Sequence, residues 1–325
     1  MKDDAIAPVI AIMLILAAIV TFLSIYNAIY VPSMKESSEI DHLQNVETGF
    51  VHFSSDIDQA ISSHQDSLVF SEPVPLGGGD TLVNELKSSG TLQVQNESVP
   101  VYTLTFSDGT VVNGIIVNFS YEPVGNFWQD QGYTWQYGYI NVTKNGGSLS
   151  TPLNYYNMTD VNNAFGSPGT PLNEFASSLG GVSYTQYQTP VPETDSNGDV
   201  RKDTNGNTIY YVPAGYCSSI SLVAVNISAS SKNFISSNGY GTLTLTTNAT
   251  PVIFSQPITS VAISSDGSPF GNAALTSWNA GFSDLMGQCS KSITNSSLTQ
   301  YNLINQNEYP TNVNLTVMQV TVGAH

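Results

Sequence analysis

The sequence predicts an α+β protein: a long N-terminal α-helix, hydrophobic and then amphipathic, followed by a β-rich antiparallel head of sandwich-like type. Three observations predict it. Charge is absent between Asp4 and Lys35, apolar residues then recur at intervals of three and four, and from about Ser67 the apolar period becomes two. The helical part takes residues 1–65 and the head 66–325, with a candidate division of the head near 190–207, where Asn, Asp and Gly crowd together.

The chain opens MKDDAIAPVIAIMLILAAIVTFLSIYNAIYVP, and from Ala5 to Tyr30 its clearly polar members are Thr21, Ser24 and Asn27. A helix of about 26 residues rises about 39 Å, more than the roughly 30 Å of a bilayer's hydrocarbon core. A secretory signal would carry a shorter apolar region and then a small-residue cleavage site. A core helix of a soluble domain would keep a polar stripe, and this segment is apolar all round. The expectation is one membrane-inserted helix with lipid as its partner. Pro8 suits the first turn, where its missing N–H has no acceptor to lose, and Asp3 and Asp4 suit the positive end of the helix dipole. Lys2 and the amino terminus before the span, with Lys35 after it, give a slight bias toward an inside N-terminus and an outside head.

Past Pro32 the residues Ile40, Leu43, Val46, Phe50, Phe53, Ile57 and Ile61 form one helical stripe, opposite Glu36, Glu39, Asp41, Gln44 and Glu47. The seam Leu43, Val46, Phe50, Phe53 and Ile57 has two readings, packing on the chain's own head or packing against other copies in an assembly. Pro32 predicts a kink or short break between the two helical halves.

Strands are expected at 91–95, 101–107, 110–122, 133–143, 208–213, 219–228, 240–247 and 313–322, where β-branched and aromatic residues alternate with polar ones. Asp108-Gly109 and Lys144-Asn145-Gly146-Gly147 predict hairpin turns. Residues 157–181 read as a loop with short helical turns, and 268–289 as the good helix candidate of the head.

Eight Lys and Arg stand against 25 Asp and Glu, a formal charge of −17, which repels phosphate backbones and argues against nucleic-acid binding. Cys217 and Cys289 either remain separate buried thiols or, in an oxidising exterior, join across a loop of about 70 residues, worth roughly 3–4 kcal/mol in the chain-entropy model. Sequons for N-glycosylation begin at Asn96, Asn118, Asn141, Asn157, Asn226, Asn248, Asn295 and Asn314, against about six expected by chance. Asp195, Asn197, Asp199 and Asp203 place oxygens as a calcium loop begins, but Val200 stands where such a loop needs glycine, and Asn-Gly turns explain the same residues. No metal is favoured and no other cofactor is implied. His42, His52, His64 and His325 share no metal spacing and are expected to be solvated. There is no nucleophile elbow, zinc-binding His pair or phosphate loop, so no catalytic residue is assigned. Trp128, Trp135, Trp278 and the many tyrosines would suit either a sugar-binding face or ordinary strands.

The opening residues resemble the N-terminus of archaeal type IV pilins and pilin-like surface proteins. A short charged leader runs into Asp4, Ala5, Ile6, Pro8, Val9 and Ile10 and then an aliphatic helix. The resemblance reaches to about Tyr30, or to about Ala60 with the amphipathic helix. It implies export through a class III signal, cut by a prepilin-type peptidase in the region of Asp3, Asp4 and Ala5. It also implies that the helix first anchors the subunit in the membrane and later packs in a filament core against copies of itself or other pilins. The function so implied is that of a structural or adhesive subunit or minor pilin. The alternative is a single-pass, membrane-anchored binding or hydrolytic ectodomain that does not assemble.

Overall fold

One helix runs unbroken from Ile6 to Ser63 in the computed structural model, which describes residues 6–78, 88–124, 130–188, 190–297, 299–304 and 310–325. It consists of α1 (Ile6–Ile25), a π-helical turn (Tyr26–Tyr30) and α2 (Val31–Ser63). The break expected at Pro32 is absent. A proline ring inside a helix clashes with the carbonyl four residues back and removes one donor. Here the turn before it is widened, the Val31 N–H bonding to the Tyr26 carbonyl, and the helix passes through. His64, in the left-handed conformation (φ 49°), ends α2.

The head follows in the order β1 (Val69–Pro75), β2 (Ser89–Asn96), β3 (Tyr102–Phe106), β4 (Val111–Gly114), β5 (Val117–Val124), β6 (Gln131–Gln136), β7 (Tyr139–Lys144) and β8 (Leu149–Pro152). Next come α3 (Met158–Gly166), α4 (Pro171–Ser178), β9 (Gly180–Gln186) and a small ribbon of β10 (Val191–Pro192) and β11 (Tyr210–Tyr211). The chain closes with β12 (Cys217–Ser237), β13 (Tyr240–Val252), β14 (Ser260–Ser265), α5 (Pro269–Gln288), β15 (Ile293–Ser297), β16 (Gln300–Leu303) and β17 (Asn312–Ala324).

The larger sheet has the order β1-β13-β17-β12-β2-β5-β6-β7-β8, with β9 also paired to β12. The smaller has the order β15-β16-β14-β3-β4. Pairing is antiparallel apart from β12 with β17, which is parallel, so the expectation of an antiparallel head holds for all pairs but this central one. A parallel pair requires a long crossover, and here β13, β14, α5, β15 and β16 intervene. The register of β12 shifts between Ala229 and Asn233, and past that bulge the strand pairs with β2.

Several elements differ from the sequence expectation for identifiable reasons. The run 110–122 is two strands in two sheets. It crosses between them at Ile115, whose N–H is accepted by the Asn226 side chain and whose carbonyl accepts from the Ile227 N–H. β1 carries Pro73 and Pro75, and it lies at a sheet edge, where a strand tolerates proline. Residues 157–178 form two true helices, capped by Asn157, which accepts from the Thr159 and Asp160 N–H groups, and by Thr170 ahead of Pro171. α5 matches its expected place, with Ser268 accepting from the Gly271 N–H and Pro269 in the first turn. The two turns expected at Asp108-Gly109 and Asn145-Gly146 join β3 to β4 and β7 to β8. At the candidate division near 190–207, β9 before the ribbon pairs with β12 after it.

The seam of α2 builds the core. Leu43 is nearly buried, and Val46, Phe50, Phe53 and Ile57 are wholly so. The Phe50 ring sits 5.0 Å and the Phe53 ring 5.3 Å from Phe119 of β5, which stacks on Trp135 of β6 at 5.0 Å. Of the two readings of the seam, the structure shows the first, packing on the chain's own head. Each of these phenylalanines removes enough apolar surface from water to contribute about 2–3 kcal/mol.

Candidate functional site

The helix changes environment along its length. From Val9 to Ile25 every side chain is exposed, while the seam of α2 is sealed against the head. Within the exposed half, Thr21 donates to the Ala17 carbonyl and Ser24 to the Val20 carbonyl, so both hydroxyls are satisfied inside the helix. Phe22, Tyr26 and Tyr30 stack in a ladder with centroids 6.5 and 6.1 Å apart. Among the described residues this is the one helix long and apolar enough to cross a membrane. Asp3, Asp4 and Ala5, the processing region implied by the resemblance, lie outside the described residues, as does Trp128.

Where the helix meets the head, a polar cluster is buried that the sequence pattern does not announce. Lys35, Glu39 and His42 are all shielded from solvent. The expectation of a solvated His42 is therefore corrected: its Nε2 lies 3.0 Å from the Tyr121 hydroxyl, and burial holds its pKa below the ordinary histidine value. Burial, with the Glu39 carboxylate adding to it, raises the Tyr121 hydroxyl far above its usual range. Further down, Tyr133 donates to the Leu43 carbonyl at 3.2 Å and Trp135 Nε1 donates to Ser54 Oγ at 2.8 Å. Glu39, expected on the polar face, is buried as well; it follows one stripe with His42, Val46 and Phe50, and that spacing is the available sign that His42 faces inward.

Cys217 and Cys289 are joined as a disulfide, their Cα atoms 5.5 Å apart, tying the start of β12 to the end of α5. The residues resembling the start of a calcium loop fold as two consecutive side-chain-capped turns. Asp195 Oδ1 accepts from the Asn197 and Asp199 N–H groups, and eight residues on Asp203 Oδ1 accepts from those of Asn205 and Asn207. These bonds to N–H groups hold the Asp203 pKa below the carboxylate norm. Among the described residues no three His, Cys, Asp or Glu side chains converge as metal ligands.

A groove of about 320 Å³ runs along the side of α2 away from the seam. Its walls are Ser55 and Asp58 of α2, Tyr139 of β7, Tyr155 from the loop after β8, and Pro171 at the start of α4. Asp58 also borders an adjoining recess of about 200 Å³ that Glu174 lines as well. The wall opposite the helix is closely packed. The turn from β6 to β7 places Tyr137 (φ 52°) and Gly138 (φ 87°) in left-handed conformations, an uncommon one for a bulky side chain. Tyr137 is held there by the Phe270 ring at 4.9 Å, and a Cβ on Gly138 would come within 2.8 Å of Phe175. Asp58 still meets solvent, yet the protein around it pushes its pKa up to about 6. Among the described residues its carboxylate accepts no hydrogen bond, and no lysine, arginine or histidine lines either space.

Compared with family models, curated proteins and solved structures, the chain matches none.

Proposed function

We propose that this is a pilin-like, exported surface protein, anchored by α1 in a membrane with its N-terminus inside and its head outside, and acting as a filament subunit or minor pilin with a structural or adhesive role. The observation that carries this reading is the division of one continuous helix. Its amphipathic half is fixed to the head, and its apolar half is exposed from Val9 to Ile25 with its hydroxyls satisfied internally. In lipid every polar group needs such a partner. An apolar surface this large in water calls for a lipid or protein cover. On assembly, contact with neighbouring helices would replace contact with lipid. The disulfide in the head suits an oxidising exterior, and the N-terminal resemblance adds a prepilin-type peptidase acting around Asp3 to Ala5. The larger sheet and the second sheet, with α5 between them, would form a layered, sandwich-like outer body.

Shearing filaments from cells and probing each fraction tests assembly: the protein is expected in the sheared filaments, and recovery in the membrane pellet alone overturns the subunit reading. Mass spectrometry of the mature N-terminus tests processing, since an intact Met1-Lys2 is incompatible with leader cleavage. The groove beside Asp58 favours a second reading, an anchored binding ectodomain that remains in the bilayer, and the same fractionation separates the two.

A further inference from the structure

We propose that the groove between α2, the β6–β7 turn and α4 is a binding site for a small organic ammonium ion, with Asp58 as its counter-charge and the rings of Tyr139 and Tyr155 as its walls. The proposal stands whether or not the helix enters a membrane.

Four features of the groove point to this chemistry. Its volume, about 320 Å³, is that of a small-molecule site. Among the described residues its carboxylate has no cationic partner, and a charge crowded by protein gains from an incoming opposite charge. Two tyrosines, Tyr139 and Tyr155, line the same space, and aromatic faces attract ammonium groups. The wall is closely packed, because the left-handed Tyr137-Gly138 turn sits against Phe270 and Phe175. A neutral hydroxylated ligand would use the serines and Asn154 along the rim but would leave Asp58 without a counter-ion. The titratable groups facing Asp58 are Glu174 from α4, Tyr139 from β7 and Tyr155 from the loop after β8. None of these is a cation. Glu174, which lines the adjoining recess together with Asp58, offers a second carboxylate for a ligand with two ammonium groups on a short chain.

The test is a calorimetric titration of the full chain in an uncharged maltoside detergent with 1,5-diaminopentane, and with pentane-1,5-diol as its uncharged counterpart. Saturable binding of the diamine at pH 7.5 is expected, and weak or absent binding of the diol. At pH 5 about one tenth of an acid with a pKa near 6 remains ionised, so the diamine is expected to bind about tenfold more weakly. Asp58→Asn is expected to abolish binding while the protein still melts in one cooperative transition, at no lower a temperature than the wild type, and Tyr155→Ala to weaken binding. No saturable binding by the wild type, equal binding of diol and diamine, or undiminished binding by Asp58→Asn overturns the proposal. Should Asp58→Asn fail to fold, the wild-type pH dependence decides the matter, since affinity unchanged between pH 7.5 and 5 removes Asp58 from the site.

Discussion

His42 Nε2 and the Tyr121 hydroxyl meet at 3.0 Å where the helix enters the head, both buried and both polar. The pair is therefore sensitive to protonation. Burial favours neutral histidine in the folded state, whereas the unfolded chain takes up its proton at the ordinary value of 6.5. The contribution is fully present above pH 6.5 and is lost as pH falls through the lower, folded-state value. Thermal melts between pH 8 and 4.5 are expected to show the wild type losing stability on acidification more steeply than His42→Gln, with the two slopes equal above pH 7.

Asp58 acts with the opposite sign. Its folded-state pKa of about 6 lies above the ordinary 3.8, so the folded protein holds a proton that the unfolded chain releases between those values. Stability from this group is greatest below pH 3.8 and falls as pH rises through 6. Asp58→Asn is expected to raise the melting temperature at pH 7.5 and to leave it unchanged near pH 3.5. Asp58 still meets solvent, so screening keeps the gain below about 1 kcal/mol, or roughly 2 °C. A loss of stability at pH 7.5 would show that its charge is compensated in the folded protein.

The two halves of the helix predict contrasting responses to one kind of substitution. Phe53→Ala opens a cavity against Phe119 and is expected to cost about 3–5 kcal/mol of head stability. Phe22→Ala, on the exposed half, removes a ring stacked only along the helix on Tyr26 and is expected to leave the melting of the head unchanged. Near-UV circular dichroism in detergent, following the tryptophans of the head, reads both.

How much of the fold is legible in the sequence depends on how local the cause is. The apolar run, the three-and-four spacing of Leu43 to Ile57 and the Ser268-Pro269 start of α5 are local patterns, and each becomes the element it announces. β12, β13 and β17 alternate clearly and are readable as strands, but their partners are not. No residue of β12 signals that its neighbour β17, reached only after β13, β14, α5, β15 and β16, runs parallel to it. Pro73 and Pro75 conceal β1, because an edge position excuses a proline and edges are decided by the whole sheet. The groove is illegible for the same reason. Asp58, Tyr139, Tyr155 and Glu174 are far apart in the chain, and each is unremarkable in its own segment. His42 is readable in principle, since it shares the face of Val46 and Phe50, but a lone histidine in a charged helix reads more readily as solvated.

The Cys217–Cys289 bond closes a loop with a sequence separation of 72, and a cross-link of that span restricts the unfolded chain by roughly 4 kcal/mol in the entropy model. The closed loop contains β12 and β13 of the larger sheet, β14 of the smaller one, and α5, whose Trp278 and Phe282 are buried in the core. Phe282 stacks on Tyr301 of β16 at 4.3 Å, just outside the closed loop, so the bond fixes one end of a helix whose other contacts reach across the core. Replacing both cysteines with serine is therefore expected to lower stability by roughly 3–4 kcal/mol while preserving the fold at low temperature. The loss would appear as an earlier melting transition of the whole head. Chemical denaturation of the wild type with and without reductant, beside the double variant, checks this. Reductant should bring the wild type toward the variant and leave the variant itself unchanged, and a reductant-insensitive wild type with an equally stable variant would remove the bond from the stability of the head.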